Sequence, residues 1–354
     1  MQELARASPL KGPCASSSHA TIGRSTPDEA IASLTLAQLQ SFVTVARLGS
    51  VKAAAAELGV SEPAISDAVG VLRRELGDEL YVRAGGAIEL TSGGQRLAAA
   101  AGEILGLAEQ ARRAVREARG ETAMLRVAAT ASVAEFAAGP LLDAFTRRNP
   151  NVEVSLQVAR APDFGGLLSH RLADVALGPR LERDGAAGFE SVPFLRYGSV
   201  VVASPRHPLA RARGIAPATL AGETWLVGPS GAEPSTATGA FLARERIAPR
   251  DVLAFPSFAN ARAQAASGRG VMLAIAHTVL DELERGALVA LDVRDTPIRR
   301  LWFASMLAPD RRTPAAWALR RFVTTPEATQ AMLARTGGVP AERFRPPVHV
   351  TIWS

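Results

Sequence analysis

The sequence predicts an α/β protein in which a winged helix-turn-helix and a long linker helix precede a region of open, mainly parallel sheets. Three observations predict this. The run Ser50–Leu76 reads as two short helices joined by a tight turn. Thr91 to about Arg119 reads as one uninterrupted helix. From Met124 onward, short β-prone apolar runs alternate with amphipathic helical ones, as parallel strands covered by helices do.

The first helix of the pair, Val51–Leu58, is nearly pure alanine on its inner side, and Gly59 ends it by taking the left-handed C-cap. Ser61 caps the second, and Pro63 is tolerated in its first turn. Ile65, Val69, Leu72 and Leu76 then form one apolar stripe, opposite a polar face carrying Glu62, Ser66, Asp67 and Arg73. A short helix, a three-residue turn and a second helix with a free polar face is how a DNA reader is built. Thr35 caps a support helix lined by Leu39, Phe42, Val43 and Ala46. After Gly77, Glu79–Arg83 and Ala87–Leu90 flank Ala84-Gly85-Gly86 and form a hairpin wing, with Arg83 placed to touch phosphate.

The long helix repeats Leu97, Ala101, Ile104, Ala108, Ala111 and Val115 at heptad spacing and spans roughly 40 Å. A helix packed on its own domain would also show such a seam. The length of the seam and its place between two domains favour a dimerising linker. In the α/β region, ligands bind beyond the carboxyl ends of strands. There lie Thr130 and Ser132, Arg160, Arg180, Ser230 and Asn260. Thr130, Ser132 and Ser230 fall where helices begin, so free amides there favour an anion, to which Arg160 and Arg180 add charge. The bland alternatives are helix capping for the hydroxyls and solvation for the arginines.

A chain of 354 residues with 47% apolar content builds two or three domains. One cysteine, Cys14, allows no internal disulfide and fits a reducing compartment. No run of eighteen apolar residues indicates a membrane span, and residues 1–33 lack the apolar core of a secretory signal, so a cytoplasmic protein is expected. Those 33 residues, rich in Ser, Pro, Gly and Ala, read as a disordered extension or a misassigned start. The net charge of +6 is no evidence for nucleic acid, because residues 34–90 hold five basic and seven acidic groups. His170, His207 and His277 lack metal-ligand spacing, Gly228–Gly231 is no nucleophile elbow, and Ala266–Gly270 is too short for a phosphate loop. No catalytic constellation, metal site or bound cofactor is expected, so the chain reads as no enzyme.

The segment LAQLQSFVTVARLGSVKAAAAELGVSEPAISDAVGVLRRELGDELYVR, the run Leu90–Gly94 and the order of elements afterwards resemble the LysR-type transcriptional regulators over about residues 34–325. LRVAATASVAEFAAGPLLDAFTRRNPNVEVSLQV and LADVALGPR are similar to the first half of that family's effector domain. The resemblance implies a winged helix-turn-helix over 34–90, a linker helix over 91–121, and a two-lobed effector-binding domain like periplasmic binding proteins over 122–328. Lobe I would take about 122–195 and 296–328, lobe II about 196–295, with a peripheral tail at 329–354. It also implies a homodimer through the linker helix, a dimer of dimers on double-stranded promoter DNA, contact with RNA polymerase, and a coinducer between the lobes.

Carried over by position, the resemblance puts Lys52 at a phosphate contact and Ser61, Pro63 and Ser66 at the groove-facing start of the recognition helix. It puts Arg83 in the wing and Thr91 at the linker start. Thr130, Ser132, Arg180, Ser230 and Asn260 fall near the effector cleft. Glu62 replaces the family's usual Gln, Asp67 a common Arg or Lys, and Ala161-Pro162 residues that are often polar. A carboxylate repels phosphate but accepts hydrogen bonds from cytosine N4 or adenine N6. The phosphate grip then rests on Lys52, Arg73, Arg83 and helix N-termini. A small organic anion is the preferred effector. Two alternatives stay open: a regulator with a vestigial cleft, and a cytoplasmic small-molecule binding protein or enzyme on the two-lobed fold.

Overall fold

A computed structural model gives the protein's structure at residues 34–84, 87–181 and 188–333. Residues 1–33, expected to be a disordered extension, Gly85 and Gly86, residues 182–187 and the chain beyond 333 lie outside the described residues. Helices α1 (Leu36–Leu48), α2 (Val51–Leu58) and α3 (Glu62–Leu76) are each opened by a hydroxyl cap, Thr35, Ser50 and Ser61. Each is closed by a glycine in the left-handed region, Gly49, Gly59 and Gly77. Their shared core holds Leu39, Phe42, Val45, Ala54, Ile65, Val69 and Leu72. Leu76, expected in that stripe, is 44% exposed, because the helix ends on it and Gly77 turns the chain away.

The wing is the antiparallel pair β1 (Tyr81–Ala84) and β2 (Ala87–Leu90), followed by α4 (Ser92–Ala118). The glycines in the first turn of α4 have a steric cause. A Cβ on Gly94 would lie 1.8 Å from the Leu80 carbonyl oxygen, and one on Gly93 would lie 2.1 Å from Asp78 Oδ2. Only glycine lets the linker helix start so close to the wing.

The α/β region runs β3 (Ala123–Ala129), α5 (Ala131–Val133), a π-helical turn (Ala134–Ala138), α6 (Gly139–Arg148), β4 (Val152–Val158), α7 (Phe164–Ser169) and β5 (Val175–Gly178). It continues through β6 (Phe189–Ala203), β7 (Thr224–Val227), α8 (Ala237–Arg244), β8 (Asp251–Ala254), α9 (Phe258–Ala266) and β9 (Met272–Ile275). Last come α10 (Leu280–Glu284), β10 (Val289–Ala290), β11 (Ile298–Leu307), α11 (Pro314–Val323) and α12 (Pro326–Leu333).

The main sheet has the order β10-β6-β11-β5-β3-β4, with β9 also on β6, and β7 and β8 form a small parallel pair. Its pairing is mixed rather than mainly parallel: β3 is parallel to β4 and β5, while β6 is antiparallel to β9, β10 and β11, and β11 to β5. The reason is β6, a 15-residue strand that the sequence pattern does not predict.

Both β6 and β11 pass through two cores. Phe194, Leu195, Tyr197 and Trp302 belong to the core built on β3 and α6; Val201, Ala203 and Ile298 belong to the core around Trp225 and Phe241. These are the two lobes, joined by continuous strands. The expected tail at 329 begins too early, since α12 buries Ala328 and Met332 in the first lobe's core.

The seam on α4 divides. Ala101 is buried in the winged domain's core, whereas Ile104 and Val115 are 46% and 55% exposed, with Leu107 beside them at 55%. A second face of α4 rests on the first lobe. A Cβ on Gly102 would sit 2.6 Å from the His170 ring and one on Gly106 would sit 2.2 Å from the His170 carbonyl, so this close approach requires glycine. Arg171 bonds the Gln110 side chain and, at 2.8 Å, the Arg311 carbonyl; Arg311 in turn pairs with Glu103 at 3.1 Å.

Candidate functional site

The surface expected to face DNA is the outer side of α3 and the wing. Lys52, Ser61, Glu62, Pro63, Ser66, Asp67 and Arg83 are all exposed. Ser61 caps α3 by accepting the Ala64 amide at 3.3 Å, which fixes the helix start that would meet base edges.

Two residues expected on this surface are tied elsewhere. Arg73 lies over the Tyr81 ring at 4.3 Å, donates to the Tyr81 carbonyl at 3.1 Å and reaches Glu79 at 3.4 Å, so it binds α3 to the wing. The Thr91 hydroxyl donates to Asp78 at 2.6 Å and accepts the Gly94 amide at 2.9 Å. It is the hinge pin between wing and linker helix. That hydrogen bond, before the one from the Leu80 amide, holds the Asp78 carboxyl below the usual carboxylate range.

A cleft of about 100 Å³ lies between the lobes. Thr130, Ser132, Arg160 and Ser230, all expected there, line it. The Thr130 and Ser132 hydroxyls are 3.3 Å apart, and the Thr130 side chain caps nothing. Ser230 sits in a turn and not at a helix start, because α8 begins later, capped by Thr236. Arg180 and Asn260 are exposed and outside the lining. Asn260 lies in the first turn of α9, where its amide is held by Ser257 at 3.1 Å.

The floor of the cleft is made by residues that the sequence pattern does not single out. Tyr197 and Ser199 on β6, and Arg300 and Trp302 on β11, face the cleft where the two strands cross between lobes. The Tyr197 and Trp302 rings pack with centroids 4.6 Å apart, and burial pushes the Tyr197 phenol up. Arg262 enters from α9, donating to the Thr278 carbonyl at 2.6 Å and pairing with Glu282 at 3.2 Å.

The rims are bridged. Glu135, on the π-helical turn of the first lobe, accepts the Phe258 and Ala259 amides of α9 at 3.0 and 2.9 Å. Those are orphan donors of a helix N-terminus, where a carboxylate is favoured. Phe136 meets Phe258 at 5.4 Å between centroids, and Gly228 leaves room for that ring, since a Cβ there would lie 2.6 Å from it. On the other rim Arg160 reaches Asp163 at 3.4 Å and Glu233 at 3.7 Å. Among the described residues, no group of three or more His, Cys, Asp or Glu is placed to hold a metal ion.

Residues 36–95 match the bacterial regulatory helix-turn-helix protein family, lysR type, and residues 118–326 match the LysR substrate binding domain. The chain belongs to the LysR family. It is a DNA-binding transcriptional regulator with an effector-binding domain. This LysR-type chain is 38% identical over 325 residues to an uncharacterized HTH-type transcriptional regulator of Mycobacterium tuberculosis, covering 91% of this chain and 100% of that one.

It is 33% identical to the transcriptional regulator CfxR of Cupriavidus necator, covering 86% and 95%, and 32% identical to a RuBisCO operon transcriptional regulator of Allochromatium vinosum, covering 82% and 95%. Full-length OxyR from Pseudomonas aeruginosa has the same fold (TM-score 0.55, 20% identity, 82% and 98% covered), as does full-length CbnR complexed with its target DNA (TM-score 0.54, 23% identity, 82% and 98% covered). No helix among the described residues is long and apolar enough to cross a membrane.

Proposed function

We propose that this regulator reads promoter DNA with the exposed start of α3, through Ser61, Glu62, Pro63, Ser66 and Asp67, and grips phosphate with Lys52 and Arg83. The carrying observation is that Ile65, Val69 and Leu72 are buried on one side of α3 while these polar residues stand free on the other, beside the wing. The chain acts as a homodimer through the free face of α4, where Ile104, Leu107, Ala111 and Val115 are exposed. An apolar stripe of that length is covered by a second copy at low cost. Two such dimers form the tetramer that binds DNA, in the cytoplasm and within reach of RNA polymerase. A small molecule in the interlobe cleft changes the grip.

Genome-wide footprinting of the full chain tests the reading. It should protect a few discrete sites of dyad symmetry, and Lys52→Ala should weaken all of them alike. Protection spread evenly over the genome, or none, would sink it.

A further inference from the structure

The charges around the cleft are not equally committed. Of the three arginines in its lining, Arg160 is matched by Asp163 and Glu233, and Arg262 by Glu282 and the Thr278 carbonyl. The amides at the start of α9 are taken by Glu135 and by the Ser257 hydroxyl. Arg300 stands apart. Among the described residues its guanidinium has neither a hydrogen bond nor a carboxylate within ion-pair distance.

Arg300 shares its strand face with Trp302, which is 2% exposed, and lies opposite Tyr197 in the β6–β11 register. Next to them Ser199 is 2% exposed, lines the cleft, and its hydroxyl has no hydrogen-bond partner among the described residues. A half-buried cation without a counter-charge and a hydroxyl that the protein leaves unpaired, both facing one small space between aromatic walls, are groups that an anionic ligand would engage.

We infer that the effector is a small oxyanion whose carboxylate or phosphate group docks on Arg300 at the hinge, with the Ser199 hydroxyl as second donor. This rests on the interlobe cleft being the effector site. Carboxylate and phosphate both match the guanidinium fork, and neither is repelled here, since the one acid in the lining, Glu233, is held by Arg160 on the rim. The rest of the molecule packs on Trp302 and Tyr197.

The test uses the full chain and thermal shift with acetate, benzoate, inorganic phosphate, glycerol phosphate and the neutral controls benzamide and glycerol, at matched ionic strength in chloride. At least one anion should stabilise the wild type where its neutral control does not. Arg300→Gln should weaken that binding tenfold or more, Arg300→Lys less, and Ser199→Ala by a smaller factor. Carboxylate-only or phosphate-only response identifies the acid group. The inference is overturned if no anion stabilises the wild type, or if an anion acts equally on Arg300→Gln. A cleft-filling Ser132→Trp variant separates the two levels. A neutral compound that stabilises wild type and Arg300→Gln alike, but not Ser132→Trp, keeps the cleft as the effector site and discards Arg300. Binding that Ser132→Trp leaves intact discards both.

Discussion

The carboxylate of Glu135 accepts the backbone amide of Phe258 at 3.0 Å across the mouth of the cleft, 123 residues away in sequence. One side chain of the first lobe thus caps a helix of the second, and Phe136 reinforces the contact from the adjacent position. Removing the carboxylate should open the rim. In Glu135→Ala, amide exchange at Phe258 and Ala259 should quicken by about five- to thirtyfold, the equivalent of ~1–2 kcal/mol for a charged acceptor of backbone amides. Asn260, held by Ser257, should change less. Equal protection in both proteins would mean that the bridge contributes nothing in solution.

Arg73 and Lys52 should separate cleanly. Arg73→Ala removes a cation–π contact and a carbonyl hydrogen bond between α3 and the wing, and should cost about 1–2 kcal/mol of winged-domain stability. The exposed Lys52→Ala should leave stability unchanged and lower the salt slope of DNA binding by about 0.9 for each phosphate that is no longer neutralised. Urea melts and salt titrations of both variants decide this. A Lys52 variant with an undiminished slope would remove that residue from the interface.

Asp67 stands exposed on the face of α3 that we propose reads DNA, where a carboxylate would repel phosphate. Asp67→Arg should raise affinity for random duplex and steepen its salt dependence. Unchanged or weaker binding to random duplex would show that Asp67 does not face DNA. With so few cations on this surface, the wild-type dimer should give a slope below about eight.

Two glycine-to-alanine changes should have opposite signs. Gly94→Ala puts a Cβ 1.8 Å from a carbonyl oxygen that belongs to backbone, and should destabilise by ~3 kcal/mol or more. Gly70, within α3, has only the Arg74 guanidinium at 3.6 Å, so Gly70→Ala should gain up to about 1 kcal/mol from helix propensity. Chemical denaturation measures both.

Burial lowers the His277 pKa from the ordinary 6.5 to about 4. The folded chain therefore resists protonation that the unfolded chain accepts. The contribution is full above pH 6.5 and is lost as pH falls toward 4, by about 2 kcal/mol between pH 7 and 5 at most. His277→Gln should flatten that part of the stability profile. Parallel profiles for the two proteins would show His277 to be solvated.

The N-terminal half is legible in the sequence because its signals are local: hydroxyl caps, terminal glycines and one 3.6-residue stripe each act within a turn or two. Strands β3 and β5 are legible for the same reason, as short apolar runs between helices. The cleft floor is not. Arg300 and Tyr197 lie in mid-strand on antiparallel partners, whereas ligand positions expected from sequence fall after strand ends, where Arg180 and Asn260 lie. Nor does anything local in Phe189–Ala203 announce one strand, since Pro193, Gly198 and two serines interrupt its β-prone run. Glu135 could not be found from sequence at all, because its role depends on a helix that arrives from the other lobe.

Because β6 and β11 each run through the cores of both lobes, the lobes are joined by a shared two-stranded ribbon, and a change in its twist would turn one against the other. Tyr197 and Arg300, register partners where that ribbon passes from one lobe's core to the other's, sit near the axle, where a small change in twist is felt by the lobes at arm's length. A molecule bound there would act as a torsion setting rather than as a wedge. Its signal would be an angle, carried out to the lobe on which the linker helix rests.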